Sequence, residues 1–146
     1  MKISQKFKIA FIFVLYKTPK EEVERLKKEV KDLKIEDYKI YFIDNLSKDE
    51  EFKWIPGQPR NDRKSIKNKT IYYKAVNRGY AAAVNLGLKK AIKDGCNLFV
   101  VSNPDISLKN LSKKILEGVK YFDIWGLAMR QDKKIYYGGA LDKKRL

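Results

Sequence analysis

Apolar residues along this chain gather into short runs separated by charged stretches, and the period of each run identifies an element. Phe7 to Leu15 is a nearly unbroken β-branched and aromatic run, which suits a strand buried on both faces of a parallel sheet better than an alternating edge strand. Thr18 and Pro19 then predict a helix start, with Thr18 as N-cap, Pro19 at the first helical position and Glu21, Glu22 and Glu24 near the positive end of the dipole. Val23, Leu26, Val30 and Leu33 fall at helical spacing on one face.

A second strand is expected over Tyr38 to Ile43, ending at Asp44-Asn45, and a third over Ile71 to Val76, ending at Asn77. The connection between them is polar and basic. After a short turn of helix near 49–54, Pro56 to Lys64 carries turn residues and little to bury, so residues 52–69 are expected to form a mobile surface loop. Tyr80 to Lys93 predicts a second helix, with Val84, Leu88, Ala91 and Ile92 on its buried face and Asp94-Gly95 as its stop. Asn97 to Ser102 reads as a fourth strand, succeeded by a helix over 111–121 and short strands over 124–129 and 135–137. This β-α-β alternation predicts an α/β fold: an open, mostly parallel sheet with helices on both faces, whose ligands sit at the carboxyl ends of the strands.

Length and composition narrow the picture. The 146 residues predict one domain, 1–146, with room for one site more readily than two. Thirty-three Lys and Arg against eighteen Asp and Glu give a net charge of +15, a field that gathers polyanions such as nucleotides, nucleic acid or an anionic membrane surface, or else a solvated Lys-rich surface. No histidine is present, which removes histidine acid–base chemistry and His-ligated zinc. Cys96 is the single cysteine, so no intramolecular disulfide forms. Lys2, Lys6 and Lys8 before an apolar run imitate a signal peptide, but no small-residue cleavage site comes after it and the run is too short to span a bilayer. A cytoplasmic location is expected, peripheral to the inner face of the membrane if the basic surface meets lipid.

Polar residues punctuate consecutive strand ends: Tyr16-Lys17, Asp44-Asn45 and Asn103-Pro104-Asp105. Parallel topology brings them to one rim. Asp105 beside a diphosphate would be repelled by several kcal/mol unless a divalent cation lay between them, and Mg²⁺ or Mn²⁺ does this with one or two carboxylates plus phosphate and water oxygens. Asn103 can add a carbonyl oxygen, and Pro104 stiffens the turn. Alternatively, Asn-Pro-Asp closes the strand and caps the next helix, and Asp44 makes an Asx turn. Gly79 and Ala81 to Ala83 let backbone approach a ligand at a helix entrance, or simply allow tight helix-to-sheet packing. Arg78 could reach a phosphate or a nucleobase, while Asn85 is either a buried hydrogen-bonder or exposed.

Asp44-Asn45, the run Asn77-Arg78-Gly79-Tyr80-Ala81-Ala82-Ala83-Val84-Asn85-Leu86-Gly87, and the strand Leu98 to Ser102 leading into Asn103-Pro104-Asp105 together resemble family 2 glycosyltransferases of the GT-A fold, in particular their rhamnosyltransferase-like branch. Gly138-Gly139 after Lys134 to Tyr137 is similar to the segment that comes after the metal motif there. The resemblance implies a Rossmann-like nucleotide-diphospho-sugar transferase fold, shortened by loss of the acceptor half. It implies a nucleotide-diphosphate-sugar donor, with Tyr16 and Asp44 near base and ribose, Arg78, Gly79, Asn85 and Asn103 supporting the pocket, and Asp105 on the metal. The implied reaction is a metal-dependent, inverting transfer to a glycan, lipid carrier or protein, with a second copy or another subunit supplying what is missing. Asn103 stands where the family often has the first Asp of Asp-x-Asp, Lys17 where it commonly has Asn, and no acidic residue after Asp105 sits in the family's catalytic context.

Two other classes share some of these features. A noncatalytic nucleotide-sugar-binding module would bind donor without transfer. A nucleic-acid-binding protein would use the charge with Trp54, Tyr72, Tyr73, Tyr136 and Tyr137 interleaved with Lys, although sheet packing also accounts for such tyrosines and no RNA or DNA motif is present.

Overall fold

The computed structural model describes residues 7–45, 69–112, 116, 129–131 and 133–136. It divides into two compact units, Met1–Asn110 and Leu111–Leu146. Among the described residues the first unit holds four strands and two helices: β1 (Ile9–Leu15), α1 (Lys20–Asp32), β2 (Tyr38–Asp44), β3 (Lys69–Lys74), α2 (Tyr80–Lys93) and β4 (Leu98–Ser102). The strands form one sheet in the order β3-β2-β1-β4, every pair parallel. In the second unit β5 (Met129–Gln131) and β6 (Lys134–Tyr136) pair antiparallel.

The central position of β1 explains its composition. Flanked by β2 and β4, it has all seven residues buried, as a strand covered on both faces must. The step from β1 to β2 runs in one direction across the sheet and the step from β3 to β4 in the other. Right-handed crossovers therefore place α1 and α2 on opposite faces.

Side-chain size then sets how closely each helix lies. Ala10, Ile12, Val14, Tyr41, Ile43 and Ile71 form the core with Ala83 and Ala91 of α2, and the small residues Ala83, Gly87 and Ala91, spaced by four, are the buried face of that helix. A methyl group on Gly87 would stand 2.6 Å from Ile12 Cγ2. On the other face Phe13 stacks on Phe42, and Phe42 on Tyr72, with ring centroids 5.5 and 5.2 Å apart. Val23, Leu26 and Val30 of α1 are buried, and Lys27 interacts with Tyr72, which sets α1 on this aromatic face. Tyr72 and Tyr73 are thus sheet residues, Tyr73 with Lys90 Nζ 4.9 Å from its ring centre.

Several boundaries differ from expectation. The third strand begins and ends two residues earlier, at Lys69 and Lys74, because it keeps the register of β2, where Lys39 faces Lys69. Pro19, with φ −59° and ψ 148°, occupies the N-cap position expected for Thr18, and no side chain caps α1; the Thr18 hydroxyl instead accepts the Tyr16 N–H at 3.2 Å. Ile92, expected in the α2 core, is 59% exposed, because the face that meets the sheet is the small-residue stripe. The expected turn near 49–54 and all of the expected 52–69 loop but Lys69, most of the helix over 111–121 and the strand residues before Met129 lie outside the described residues. Among the described residues no helix is long and apolar enough to cross a membrane.

Candidate functional site

The reversal of strand order that separates the two helices also opens a crevice. It falls between β1 and β4, the neighbours at which strand order reverses, at their carboxyl ends. A hollow of about 550 Å³ lies here, within the range that holds a small-molecule ligand. Its wall is formed by Tyr16 to Pro19 after β1, Asn45 after β2, Asn103 to Asp105 after β4 and Asn77, Gly79 and Tyr80 at the entrance to α2.

Four of the seven expected site residues meet in this wall: Tyr16, Gly79, Asn103 and Asp105. Tyr16 and Tyr80 are 53% and 47% exposed, so both rings can be covered by a ligand. The Lys17 ammonium lies 5.7 Å from the Tyr16 ring centre. Lys17 itself has φ +50°, a left-handed conformation that costs a lysine about 1–2 kcal/mol and that Asn, the residue common here in the resembling family, tolerates better. Gly79 has φ +92° with nothing within 4 Å of where a Cβ would be. Its conformation requires glycine, and the open space beside it leaves the backbone accessible.

Asp44, Arg78 and Asn85 do not line the hollow. Asp44 is the last residue of β2 and is buried; the pleat puts it on the Phe42 side of the sheet, whereas the next residue continues the alternation that points Val14 into the hollow. Asn45 is therefore the residue of the pair in the wall. It is 6% exposed, its N–H donates to Leu15 O at 2.8 Å, and its Oδ1 is buried without a hydrogen-bond partner among the described residues. Such an acceptor costs about 1–3 kcal/mol, which a ligand N–H or O–H would offset. Arg78 is exposed, although its chain neighbours Asn77 and Gly79 both line the hollow. Asn85 lies two residues beyond Ala83, about 200° around the helix from the face that meets the sheet, and is exposed.

The α2 entrance is electropositive by construction. Its first turn carries neither a side-chain cap nor an acidic residue, so the helix presents its partial positive charge without compensation. Asn77 Oδ1 accepts the Gly79 N–H at 3.1 Å and fixes the turn into the helix.

The loop after β4 is held from α1. Arg25 Nη2 donates to Pro104 O at 2.6 Å and Arg25 Nη1 to Ile106 O at 3.5 Å. The guanidinium also binds Glu22 and Glu29. Glu29, 5% exposed, accepts the Leu108 N–H at 2.6 Å and the Ser107 hydroxyl. Burial alone would push the Glu29 carboxyl upward, but the Leu108 N–H, the Arg25 guanidinium and the Ser107 hydroxyl outweigh it and hold the group below the ordinary glutamate range. Stability from this carboxylate is complete above the unfolded value near pH 4.3 and is lost as pH falls through the lower folded value. The stability gap between wild type and Glu29→Gln, read from urea unfolding, should therefore narrow from pH 7 to pH 3, with a slope of at most about 1.4 kcal/mol per pH unit. A gap independent of pH would show that the carboxylate charge is not what the loop uses.

Asp105 is exposed, and among the described residues its side chain makes no hydrogen bond or ion pair, which leaves its oxygens available at the rim. Among the described residues no group of three or more Asp, Glu, Cys or His clusters as a preformed metal cage. A single carboxylate with a neighbouring amide fits a cation that draws its remaining ligands from phosphate and water. Glu22 also lines the hollow, but its carboxylate is occupied by Arg25 at 2.6 Å. Sequence reasoning misses Arg25 and Glu29 because their partners lie 79 to 81 residues away; the one available signal is a glutamate set between Leu26 and Val30 in the apolar stripe. Comparison with protein-family models, with curated proteins and with solved structures finds no match.

Proposed function

We propose that the hollow binds a nucleotide-diphosphate sugar and that the chain is the donor-binding part of a metal-dependent, inverting glycosyltransferase, as its resemblance to the family 2 enzymes implies. One observation carries the reading: Tyr16 and Asp105, from the two strands flanking the point where strand order reverses, meet on one hollow with the entrance to α2.

Five wall residues and the start of α2 have tasks in that reading. Tyr16 offers a ring face to the base, and Asn45 Oδ1 accepts a hydrogen bond from base or ribose. Gly79 admits ligand atoms close to the backbone, and the uncapped start of α2 favours the anionic part of the donor. Asp105, with Asn103 beside it, would hold Mg²⁺ or Mn²⁺. Such a cation, when bound, offsets the charge that develops on the departing diphosphate. No residue is assigned as the base that deprotonates the acceptor, since Glu22, the other carboxylate on the hollow, is engaged by Arg25.

Calorimetry with UDP-, GDP- and dTDP-sugars, in Mn²⁺ and in EDTA, tests the reading. At least one donor should bind, and Mn²⁺ should tighten it by about tenfold or more, within the usual range of coupling between two bound ligands. Equal affinity in the two conditions rejects the metal assignment. Release of nucleoside diphosphate on adding acceptors separates a transferase from a noncatalytic binding module, and salt-sensitive binding to generic RNA with no response to any donor would favour a nucleic-acid-binding protein.

A further inference from the structure

We infer that Arg25 and Glu29 of α1 are positioning residues for the cation-binding carboxylate, so that the middle of α1 sets the metal dependence of ligand binding; this rests on the nucleotide-sugar reading of the hollow. Asp105 lies between two residues whose carbonyl oxygens both accept from the same guanidinium, Pro104 at 2.6 Å and Ile106 at 3.5 Å. The segment is thereby gripped on each side of the carboxylate, while the carboxylate itself has no partner among the described residues.

The guanidinium is in turn fixed by two carboxylates of its own helix, Glu22 at 2.6 Å and Glu29 at 3.0 Å. Glu29 then reaches past it to the Leu108 N–H at 2.6 Å and the Ser107 hydroxyl. Glu22, Arg25 and Glu29 succeed one another at helical spacing of three and four, so a single row on α1 presents alternating charge to the loop. A planar, five-donor group can serve two carbonyls and two carboxylates at once; an ammonium cannot. Buried charge is costly unless it is fully hydrogen-bonded, and most of what Glu29 accepts here comes from residues 107 and 108. Since Asn103, Pro104 and Asp105 are the part of this loop that faces the hollow, the grip acts where the cation would sit. Groups that orient metal ligands from behind change metal affinity without touching the ion.

The test is binding of UDP, GDP and dTDP, each with Mn²⁺ and with EDTA, to wild type, Arg25→Gln, Arg25→Lys, Glu29→Gln, Asp105→Ala and the control Lys27→Gln, whose ion pair with Glu24 lies elsewhere on α1. Mn²⁺ occupancy is read from its electron paramagnetic resonance signal. Arg25→Gln and Glu29→Gln should weaken Mn²⁺-dependent binding by about tenfold, as outer partners of metal ligands do, with affinity in EDTA unchanged. Arg25→Lys should fall between Arg25→Gln and wild type, and Lys27→Gln should match wild type. If Arg25→Gln fails to fold, Arg25→Lys and Glu29→Gln give the same reading. A loss in Asp105→Ala with none in the Arg25 and Glu29 variants overturns the positioning role and leaves the site standing. Equal weakening with Mn²⁺ and EDTA overturns it also, as the mark of a purely structural clamp. Failure of wild type to bind any of the three overturns both this inference and the reading beneath it.

Discussion

Replacing Asp105 with alanine is expected to strengthen nucleotide binding in EDTA and weaken it in Mn²⁺. In EDTA the wild-type carboxylate opposes the diphosphate. Two unit charges about 5 Å apart at an effective dielectric of 20 repel by about 3 kcal/mol, so the variant should bind the nucleoside diphosphate more tightly than wild type without metal. In Mn²⁺ the order inverts, because the carboxylate that repelled the ligand now shares an ion with it. Loss of that bridge removes an attraction of similar size, roughly 100-fold in affinity. Asp105→Asn separates charge from shape and should behave as alanine does in both conditions. Thermal stability should hardly change, since the side chain is exposed and makes no hydrogen bond or ion pair among the described residues and surface changes of this kind stay within about 0.5 kcal/mol. Identical affinities of wild type and variant in Mn²⁺ would remove Asp105 from the site.

Of the strands of the first unit, β1 and β2 are buried throughout, and burial on both faces leaves an unmistakable run of apolar residues, as in β1. Their parallel direction comes from β-α-β alternation, so the rim that collects Tyr16, Asn103 and Asp105 is legible too, whereas the order β3-β2-β1-β4 is not. What the pattern does not carry is anything decided by a single residue of phase. Asp44 and Asn45 are both polar and both stand at the tip of β2; only the pleat, set by pairing with β1, tells which one enters the hollow. Likewise Ala91 and Ile92 are neighbours, and hydrophobicity puts both on the buried face of α2, whereas the sheet accepts only the smaller. Contacts across 79 or more residues, such as Arg25 with Pro104, leave only a charged residue inside an apolar stripe as their trace.

The positioning of the hollow depends in the end on how closely α2 can approach the sheet, and Gly87→Val is expected to show it. Glycine in mid-helix costs about 1 kcal/mol relative to alanine, so its presence needs an offsetting gain from packing. The geometry supplies one: an added Cβ would lie 2.6 Å from Ile12 Cγ2 and 3.3 Å from Ile43 Cγ1, where carbon atoms prefer about 3.5–4.0 Å. Ile12 is fully buried in the central strand and, being β-branched, has little rotamer freedom with which to move aside. Gly87→Ala therefore sets about 1 kcal/mol of propensity gain against about 1–3 kcal/mol of overpacking and should be mildly destabilising. Valine adds two more methyl groups in the same gap and should cost more than about 3 kcal/mol, a large share of the roughly 5–15 kcal/mol typical of a whole domain. Lifting the helix also moves Gly79 and Tyr80 away from Asn103 and Asp105, so nucleotide affinity should fall in the folded fraction. Ile12→Leu, which conserves volume but carries no methyl on Cβ, should recover part of the loss when combined with Gly87→Ala. If urea unfolding finds Gly87→Val as stable as wild type, close packing of α2 on β1 is not what fixes that wall of the site.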